Sequence, residues 1–226
     1  MSRIVTLIGA TGLIGGKLLE LLLKDPTIHT VRALVRKTFL SSDPKLQQFV
    51  IDFEDAHAYE THMAGAEIVF CAVGTTNSKV QGDKELYKKV DYDIPVYAAK
   101  AATKYGVYCF VMVSAVGANP ENNNNFYLKL KGVTEEAVAK EMIPSLNIMR
   151  PSLLLGDRKE SRFGEKIAQV VMPAFSWALG GSSAKYKAID ASEVAKAMVA
   201  VANASPKGIH FYEYIDMKEL IDSNAS

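Results

Sequence analysis

The stretch Gly9-Ala-Thr-Gly12-Leu-Ile-Gly15 follows the apolar run Ile4–Ile8 and opens a segment with helical spacing. Glycines at a strand–turn–helix junction leave no Cβ to block the turn, the packing of helix against strand, or an approaching phosphate. The free N–H groups at a helix N-terminus bind anions. We therefore interpret this loop as a pyrophosphate-binding site, and a tight turn without a ligand is the alternative. The spacing G-x-x-G-x-x-G is a variant of the more familiar G-x-G-x-x-G.

Outward from this loop, short apolar runs alternate with helical patterns. The runs are Ile4–Ile8, Val31–Val35, Phe49–Ile51, Ile68–Val73, Val107–Val113 and Leu146–Met149, and the helical patterns are Gly12–Lys24, about Asp83 to Tyr105, and Asn125–Glu141. Continuous apolar runs are typical of strands covered on both faces. The alternation predicts an α/β fold with a doubly wound parallel sheet. Pro95 falls inside the second helical pattern and should kink it.

Length and composition limit the other possibilities. The 226 residues include 49% hydrophobic residues and carry a net charge of +1, which gives no electrostatic reason to expect nucleic acid as a partner. We expect one domain over residues 1–226, as a monomer or homodimer. No secretory signal or membrane span is evident. Cys71 and Cys109 lie in apolar runs, so we expect buried thiols and a cytosolic location. His57 and His62 are five residues apart, which does not place them on one helix face, so we expect no metal site.

The ends of the next three strands carry candidate cofactor contacts. An acidic residue at the end of the second strand would bind the ribose hydroxyl of NAD, but the chain has Arg36 and Lys37 there. Two cations favour the phosphate of NADP over NAD, with an exposed charge pair as the alternative. Asp52, after the third strand, could accept a hydrogen bond from the adenine amino group, or it could only cap the segment that follows. Gly74, after the fourth strand, lets the chain pass close to a cofactor or only makes a turn.

The candidate catalytic residues are Ser114, Tyr127 and Lys131. Tyr127 and Lys131 are four residues apart on one helix face, and Ser114 ends the fifth strand. Carbonyl reduction needs a proton on oxygen, and we expect the Lys131 cation to lower the pKa of the Tyr127 phenol while Ser114 binds the substrate oxygen. A Tyr–Lys pair alone is common on helices. Its place after a glycine loop and a strand-end serine makes it informative.

The order of these features resembles the short-chain dehydrogenase/reductase superfamily, and within it the atypical branch related to the Tat-interacting oxidoreductase proteins. The resemblance runs through GATGLIG, LVRK, VIDFED, FCAVGTT, VDYD, VSAVGA, NFYLKLKGVTEEAV and RPSLLLGDRKESRFGE. It implies an NAD(P)-binding Rossmann fold with Tyr127 as proton donor. The implied cofactor contacts are Thr11, Gly12, Leu13, Ile14, Arg36, Lys37, Val73, Gly74, Leu154 and Arg162. Ala115 replaces a second serine found in relatives, and Asp91 replaces a frequent asparagine.

Residues 151–190 form a short excursion that we expect on the substrate side of the cofactor. The pattern predicts an apolar helix at Ile167–Leu179 within it. Its Met172, Phe175 and Trp177 would cover the substrate side, or else only pack against the sheet. Arg158 and Arg162 would reach cofactor phosphates or an anionic substrate, or else form an exposed charge cluster.

The predicted function is hydride transfer between NADP(H) and a small carbonyl or alcohol. A cofactor-sensing regulator is the rival, and an epimerase or dehydratase would need a larger C-terminal domain.

Overall fold

Seven parallel strands form the central sheet of the computed structural model, which describes residues 3–75, 81–155 and 183–224. The strands are β1 (Arg3–Ile8), β2 (Ile28–Val35), β3 (Leu46–Val50), β4 (Ile68–Cys71), β5 (Cys109–Val113), β6 (Ser145–Met149) and, at one edge, β9 (Gly208–Tyr212). Their order in the sheet is β3-β2-β1-β4-β5-β6-β9, and every neighbouring pair is parallel. Strands β7 (Leu154–Leu155) and β8 (Ile189–Asp190) pair separately. The predicted doubly wound parallel sheet is confirmed.

Helices cover both faces of the sheet. Those described are α1 (Leu13–Lys24), α2 (Glu60–Met63), α3 (Lys84–Lys88), α4 (Ile94–Lys104), α5 (Phe126–Ala139), α6 (Ala191–Ala204) and α7 (Tyr214–Ser223), with 3-10 turns at Ala56–Tyr59 and Ser183–Tyr186. In β1, Val5 and Leu7 belong to the core layer under α1 and α6, whereas Ile8 belongs to the layer under α4 and α5. Burial on both faces explains why the strand sequences are continuous apolar runs.

Pro95 lies at the start of α4 rather than inside a regular helix. Residues Lys89–Asp93, between α3 and α4, form a π-helical turn, and Pro95 follows in the first turn of α4. Proline has no N–H for the α-helical bond to the carbonyl four residues earlier, which is that of Asp91. The Thr134 hydroxyl lies 3.0 Å from this carbonyl oxygen and can donate to it. Pro95 was expected to kink the helix, and the structure instead has a π turn just before it, with Asp91 at the centre of that turn.

The strand order reverses between β1 and β4, and this reversal positions the site. In such sheets the crevice beyond the carboxyl ends of the strands, at the reversal, is where ligands bind. The glycine loop leaves β1 at this point, and Gly74 follows β4 beside it. Ser114 directly follows β5, the next strand along. The topology thus gathers the ends of β1, β4 and β5 at one crevice.

Gly15→Ala should destabilise the protein, whereas Gly16→Ala should not. A Cβ at position 15 would lie 2.0 Å from the backbone carbonyl oxygen of Gly9, which no side-chain rotation can relieve. At position 16 the nearest atom beyond the helix's own backbone is 3.7 Å away. We expect Gly15→Ala to lower the free energy of unfolding by about 1–3 kcal/mol. Gly16→Ala should leave it unchanged or raise it by up to about 1 kcal/mol, because alanine is the better helix former. Equal urea midpoints for the two variants would contradict this packing.

Candidate functional site

The glycine loop has two glycines that serve the fold and one that faces outward. Gly9 has a positive φ of 94°, and a Cβ there would lie 2.6 Å from the carbonyl oxygen of Ala72. The Gly12 N–H donates to the Gly9 carbonyl at 2.9 Å and closes the turn. Gly12 itself is exposed at the start of α1, whose first turn has neither a capping side chain nor an acidic residue. The loop therefore presents uncapped N–H groups to an anion, as a pyrophosphate requires.

The other predicted residues of the loop differ in exposure. Thr11 is exposed, Leu13 is half-buried, and Ile14 is buried in the core layer that α1 forms with the sheet. The Ile14 side chain therefore packs against the protein, and only its backbone is free to meet a cofactor.

Arg36, Lys37 and Asp52 lie at the carboxyl ends of the neighbouring strands β2 and β3. Arg36 and Lys37 are exposed, and neither has an ion-pair partner within the described ranges. Asp52 is exposed, and its carboxylate accepts a hydrogen bond from the Glu54 N–H at 2.9 Å. The local capping role is thus present in Asp52, while its contact with adenine stays a prediction.

A buried ion pair joins the π turn to α5. The Lys131 ammonium lies 2.8 Å from Asp91 Oδ1, and the two side chains are 3% and 0% exposed. The other carboxylate oxygen of Asp91 accepts the Thr75 N–H at 2.9 Å. Lys131 Nζ also lies 3.5 Å from the Val113 carbonyl oxygen at the end of β5. Asp91 Oδ1 is within ion-pair distance of Lys131 but has no hydrogen-bond partner of good geometry among the described residues. An ammonium has three donors, so at least one N–H of Lys131 is left for a ligand.

Tyr127 lies beside this pair, with its ring centroid 5.9 Å from the Lys131 nitrogen. Lys131 acts to lower the pKa of Tyr127, as expected, but it does not decide the net shift. Burial raises the pKa of the phenol, Lys131 opposes that rise only in part, and Asp91 adds to it, so the pKa of Tyr127 lies above its usual value. The main reason is that burial disfavours the charged phenolate, and the Asp91 carboxylate offsets part of the effect of Lys131.

Ser114 brings an unsatisfied hydroxyl to the same place. The residue is 3% exposed, its N–H donates to the Met149 carbonyl at 2.7 Å, and its Oγ is buried without a hydrogen-bond partner in the described part of the chain. Ser114 follows Val113, whose carbonyl Lys131 approaches. Buried hydroxyls are nearly always paired, and an unpaired one is a common mark of a site that awaits a ligand. The fold thus gathers Ser114, Tyr127 and Lys131 with Asp91, which sequence reasoning did not place in the site.

Tyr87 also lies at this site, and sequence reasoning did not single it out, whereas Asp91 was noted as the replacement of a frequent asparagine. Its hydroxyl donates to the Thr75 carbonyl at 3.1 Å, and its ring lies 6.0 Å from that of Tyr127. Tyr87 and Asp91 are four residues apart, so one helix face with a tyrosine and a buried acid was the available signal. Gly74 sits against this face, because a Cβ there would lie 3.8 Å from Asp91 Oδ1.

Several predicted residues are not brought together by the described structure. Val73 is half-buried after β4, and Leu154 is half-buried in β7, where it pairs with Ile189. The others lie outside the described residues; they are Arg158, Arg162, Met172, Phe175 and Trp177. Their roles stay predictions.

Comparison with known proteins identifies the family. A family model described as NAD(P)H-binding matches residues 9–205. Protein HTATIP2 of Rattus norvegicus is 31% identical over 184 residues, which cover 79% of this chain and 75% of that protein. The chain belongs to the atypical short-chain dehydrogenase/reductases related to HTATIP2. A further relative of this chain is Protein FMP52 of Candida albicans, 34% identical over 212 residues, with 90% of this chain and 88% of that one covered.

Solved structures agree with the fold of this short-chain dehydrogenase/reductase. The oxidoreductase ylbE of Lactococcus lactis superposes with a TM-score of 0.70 over 98% of this chain and 96% of that one, at 18% identity. At such low identity the likeness concerns the fold alone.

The prediction of a cytosolic location is wrong on this comparison. The FMP52 relatives from Candida albicans, Debaryomyces hansenii and Coccidioides immitis are all named as mitochondrial. The prediction rested on the lack of a secretory signal and on reduced cysteines, and neither feature bears on mitochondrial import. Among the described helices, none is long and apolar enough to span a membrane.

Ser114→Ala should leave the stability of the protein unchanged or raise it by up to about 1 kcal/mol, because its hydroxyl has no partner to lose. Ser145 in β6 is the matched control, since it is equally buried but its Oγ accepts the Asn147 amide at 3.0 Å. Ser145→Ala should cost about 1–3 kcal/mol, because the buried Asn147 amide nitrogen would keep only its weak 3.7 Å contact with the Cys109 sulfur. Thermal unfolding measures both, and an equal loss at the two serines would show that Ser114 is paired in solution.

Proposed function

We propose that this protein is an NADP-dependent reductase of small carbonyl compounds, with Tyr127 as proton donor. The observation that carries the proposal is the Ser114 hydroxyl, which is buried without a hydrogen-bond partner among the described residues and directly follows Val113, whose carbonyl Lys131 approaches. A hydroxyl that lacks a partner in the free protein can bind a substrate carbonyl oxygen without first breaking another bond. Membership of the short-chain dehydrogenase/reductases and the NAD(P)H-binding match support the cofactor class.

The residues divide the reaction between them. Bound NADPH supplies the hydride that reaches the carbonyl carbon. Ser114 donates a hydrogen bond to the carbonyl oxygen and stabilises the charge that develops there. Tyr127 gives its phenolic proton to that oxygen, which completes the alcohol. Lys131 stabilises the phenolate that remains, until Tyr127 takes a proton from water.

The glycine loop and the end of β2 fit a dinucleotide with a ribose phosphate. The uncapped first turn of α1 suits a pyrophosphate. Arg36 and Lys37 are exposed and have no ion-pair partner within the described ranges, which suits the extra phosphate of NADP. The free N–H of Lys131 suits the hydroxyls of the nicotinamide ribose. Asp52, at the end of the neighbouring strand, is the candidate for the adenine.

Tyr127→Phe tests the proton donor. The change deletes one hydroxyl and keeps the ring, so we expect turnover with any accepted carbonyl to fall by roughly 10²–10⁴, with little change in NADPH affinity. Turnover is measured as the loss of NADPH absorbance. Tyr59→Phe is the control, because it removes a buried phenol that donates to the Phe53 carbonyl at 3.0 Å, away from the site. If Tyr127→Phe kept more than about half of the wild-type rate, another group would supply the proton.

The rival function gives a different result in the same assay. A cofactor-sensing regulator would bind NADPH, turn over no carbonyl in a broad panel, and keep its NADPH affinity in Tyr127→Phe. That outcome would reject the reductase.

Arg36→Asp tests the choice of cofactor. Loss of a charged contact to the ribose phosphate should raise the dissociation constant of NADPH at least about tenfold, and the new carboxylate should favour NADH. Lys207→Asp makes the same kind of charge reversal at an exposed residue just before β9 and should change neither affinity. Calorimetry with both cofactors measures the effect. Unchanged affinities in Arg36→Asp would mean that Arg36 does not contact the cofactor.

A further inference from the structure

Four ionisable groups lie around the proposed proton donor and its ion pair, and of these only Lys131 takes part in the steps above. Lys131 lies on the same helix as Tyr127, Asp91 lies on the π turn, Tyr87 lies on α3, and Cys71 ends β4 near the ion pair. Burial raises the pKa of Tyr87 far above its usual value and that of Cys71 to about 12, so both are uncharged near neutral pH. The charges that act on Tyr127 are therefore those of Lys131 and Asp91.

We propose that Asp91 is a positioning residue that holds Lys131 in place and, by balancing part of its charge, adds to the burial that keeps Tyr127 protonated at neutral pH. The part that concerns Tyr127 as donor rests on the proposed function. The part that concerns charge balance rests on the 2.8 Å contact and the full burial of Asp91.

Position follows from the contacts of Asp91. One carboxylate oxygen receives the Lys131 ammonium and the other receives the Thr75 N–H, so the side chain is held at both oxygens. The Thr134 hydroxyl lies 3.0 Å from the Asp91 carbonyl oxygen and 2.8 Å from that of Leu130, and its single proton can be donated to only one of them at a time. Lys131 is thereby fixed between Asp91 and the Val113 carbonyl, with its remaining N–H free for a ligand.

Charge balance follows from the same geometry. An unpaired ammonium near a phenol favours the phenolate and lowers the pKa of the phenol, whereas an adjacent carboxylate cancels much of that effect. An asparagine at this position has the same shape and no charge. A phenol that stays protonated can donate its proton to a carbonyl oxygen at neutral pH.

The test is a titration of Tyr127 by ultraviolet difference absorbance, with the spectrum of Tyr127→Phe subtracted. In the wild type we expect Tyr127 to ionise above about pH 10, the ordinary tyrosine value. In Asp91→Asn it should ionise about 1–3 pH units lower than in the wild type. Glu135→Gln is the matched control. It removes a buried acid of α5 that pairs with the half-buried Arg150, and it should leave the Tyr127 midpoint unchanged.

A double variant separates charge from loosened structure. Asp91→Asn combined with Lys131→Met removes both charges, so the Tyr127 midpoint should return towards the wild-type value because burial alone then acts on it. If Asp91→Asn only admitted water, the double variant would keep the low midpoint. Should Asp91→Asn fail to fold, Lys131→Met can be compared with the double variant. Tyr127 should ionise at higher pH in Lys131→Met, where the Asp91 carboxylate acts alone.

The proposal would be overturned if Tyr127 ionised at the same pH in the wild type and in Asp91→Asn, or if its midpoint stayed low in the double variant. It would also be overturned if Tyr127 ionised at the same pH in Lys131→Met and in the double variant. The pH profile of carbonyl reduction should fall at the same lowered pH in Asp91→Asn. If the wild type reduces no carbonyl, the proposed function fails, while the titration still decides whether Asp91 balances Lys131.

Discussion

The ion pair between Asp91 and Lys131 is the constraint on which the site depends. It is fully buried, and the cost of removing two charges from water is recovered only when both partners are well placed and further hydrogen bonds satisfy them. Asp91 meets this condition through the Thr75 N–H after β4, and Lys131 through its approach to the Val113 carbonyl at the end of β5. The pair therefore holds the ends of two strands and one helix in a single register. The pair therefore contributes mainly by positioning the site, and less by adding to the free energy of folding.

Two features that look costly in isolation place this pair. Pro95 cannot hydrogen-bond to the Asp91 carbonyl, and the π turn and the Thr134 hydroxyl accommodate that loss. Gly132, next to Lys131, lets α5 approach the loop before it, since a Cβ there would lie 2.3 Å from backbone atoms of Asn119 and Pro120. A π turn inside a helix is often found at functional sites, because it shifts side chains that a regular helix would direct elsewhere. Here it directs a carboxylate into the crevice.

Much of the fold and part of the candidate site could be predicted because they depend on local chemistry. Apolar runs must be buried on both faces, so Val5, Leu7 and Ile8 identified a central strand. A loop that turns sharply under a helix needs glycine, and Gly9 and Gly15 occupy places where a Cβ would meet backbone. Tyr127 and Lys131 share a helix face by their spacing alone. The role of Asp91 could not be read this way, because its partner is 40 residues away and on another helix.

The sequence by itself determined the family, the parallel sheet, the glycine loop and the residues that could donate a proton, because each depends on spacing along the chain. Only the tertiary structure decided the electrostatic state of those residues. Tyr127 beside Lys131 suggested a phenol with a lowered pKa, but burial and the carboxylate of Asp91 raise that pKa instead. The pKa of a buried group depends on every charge around it and on its distance from water, and a one-dimensional pattern contains neither.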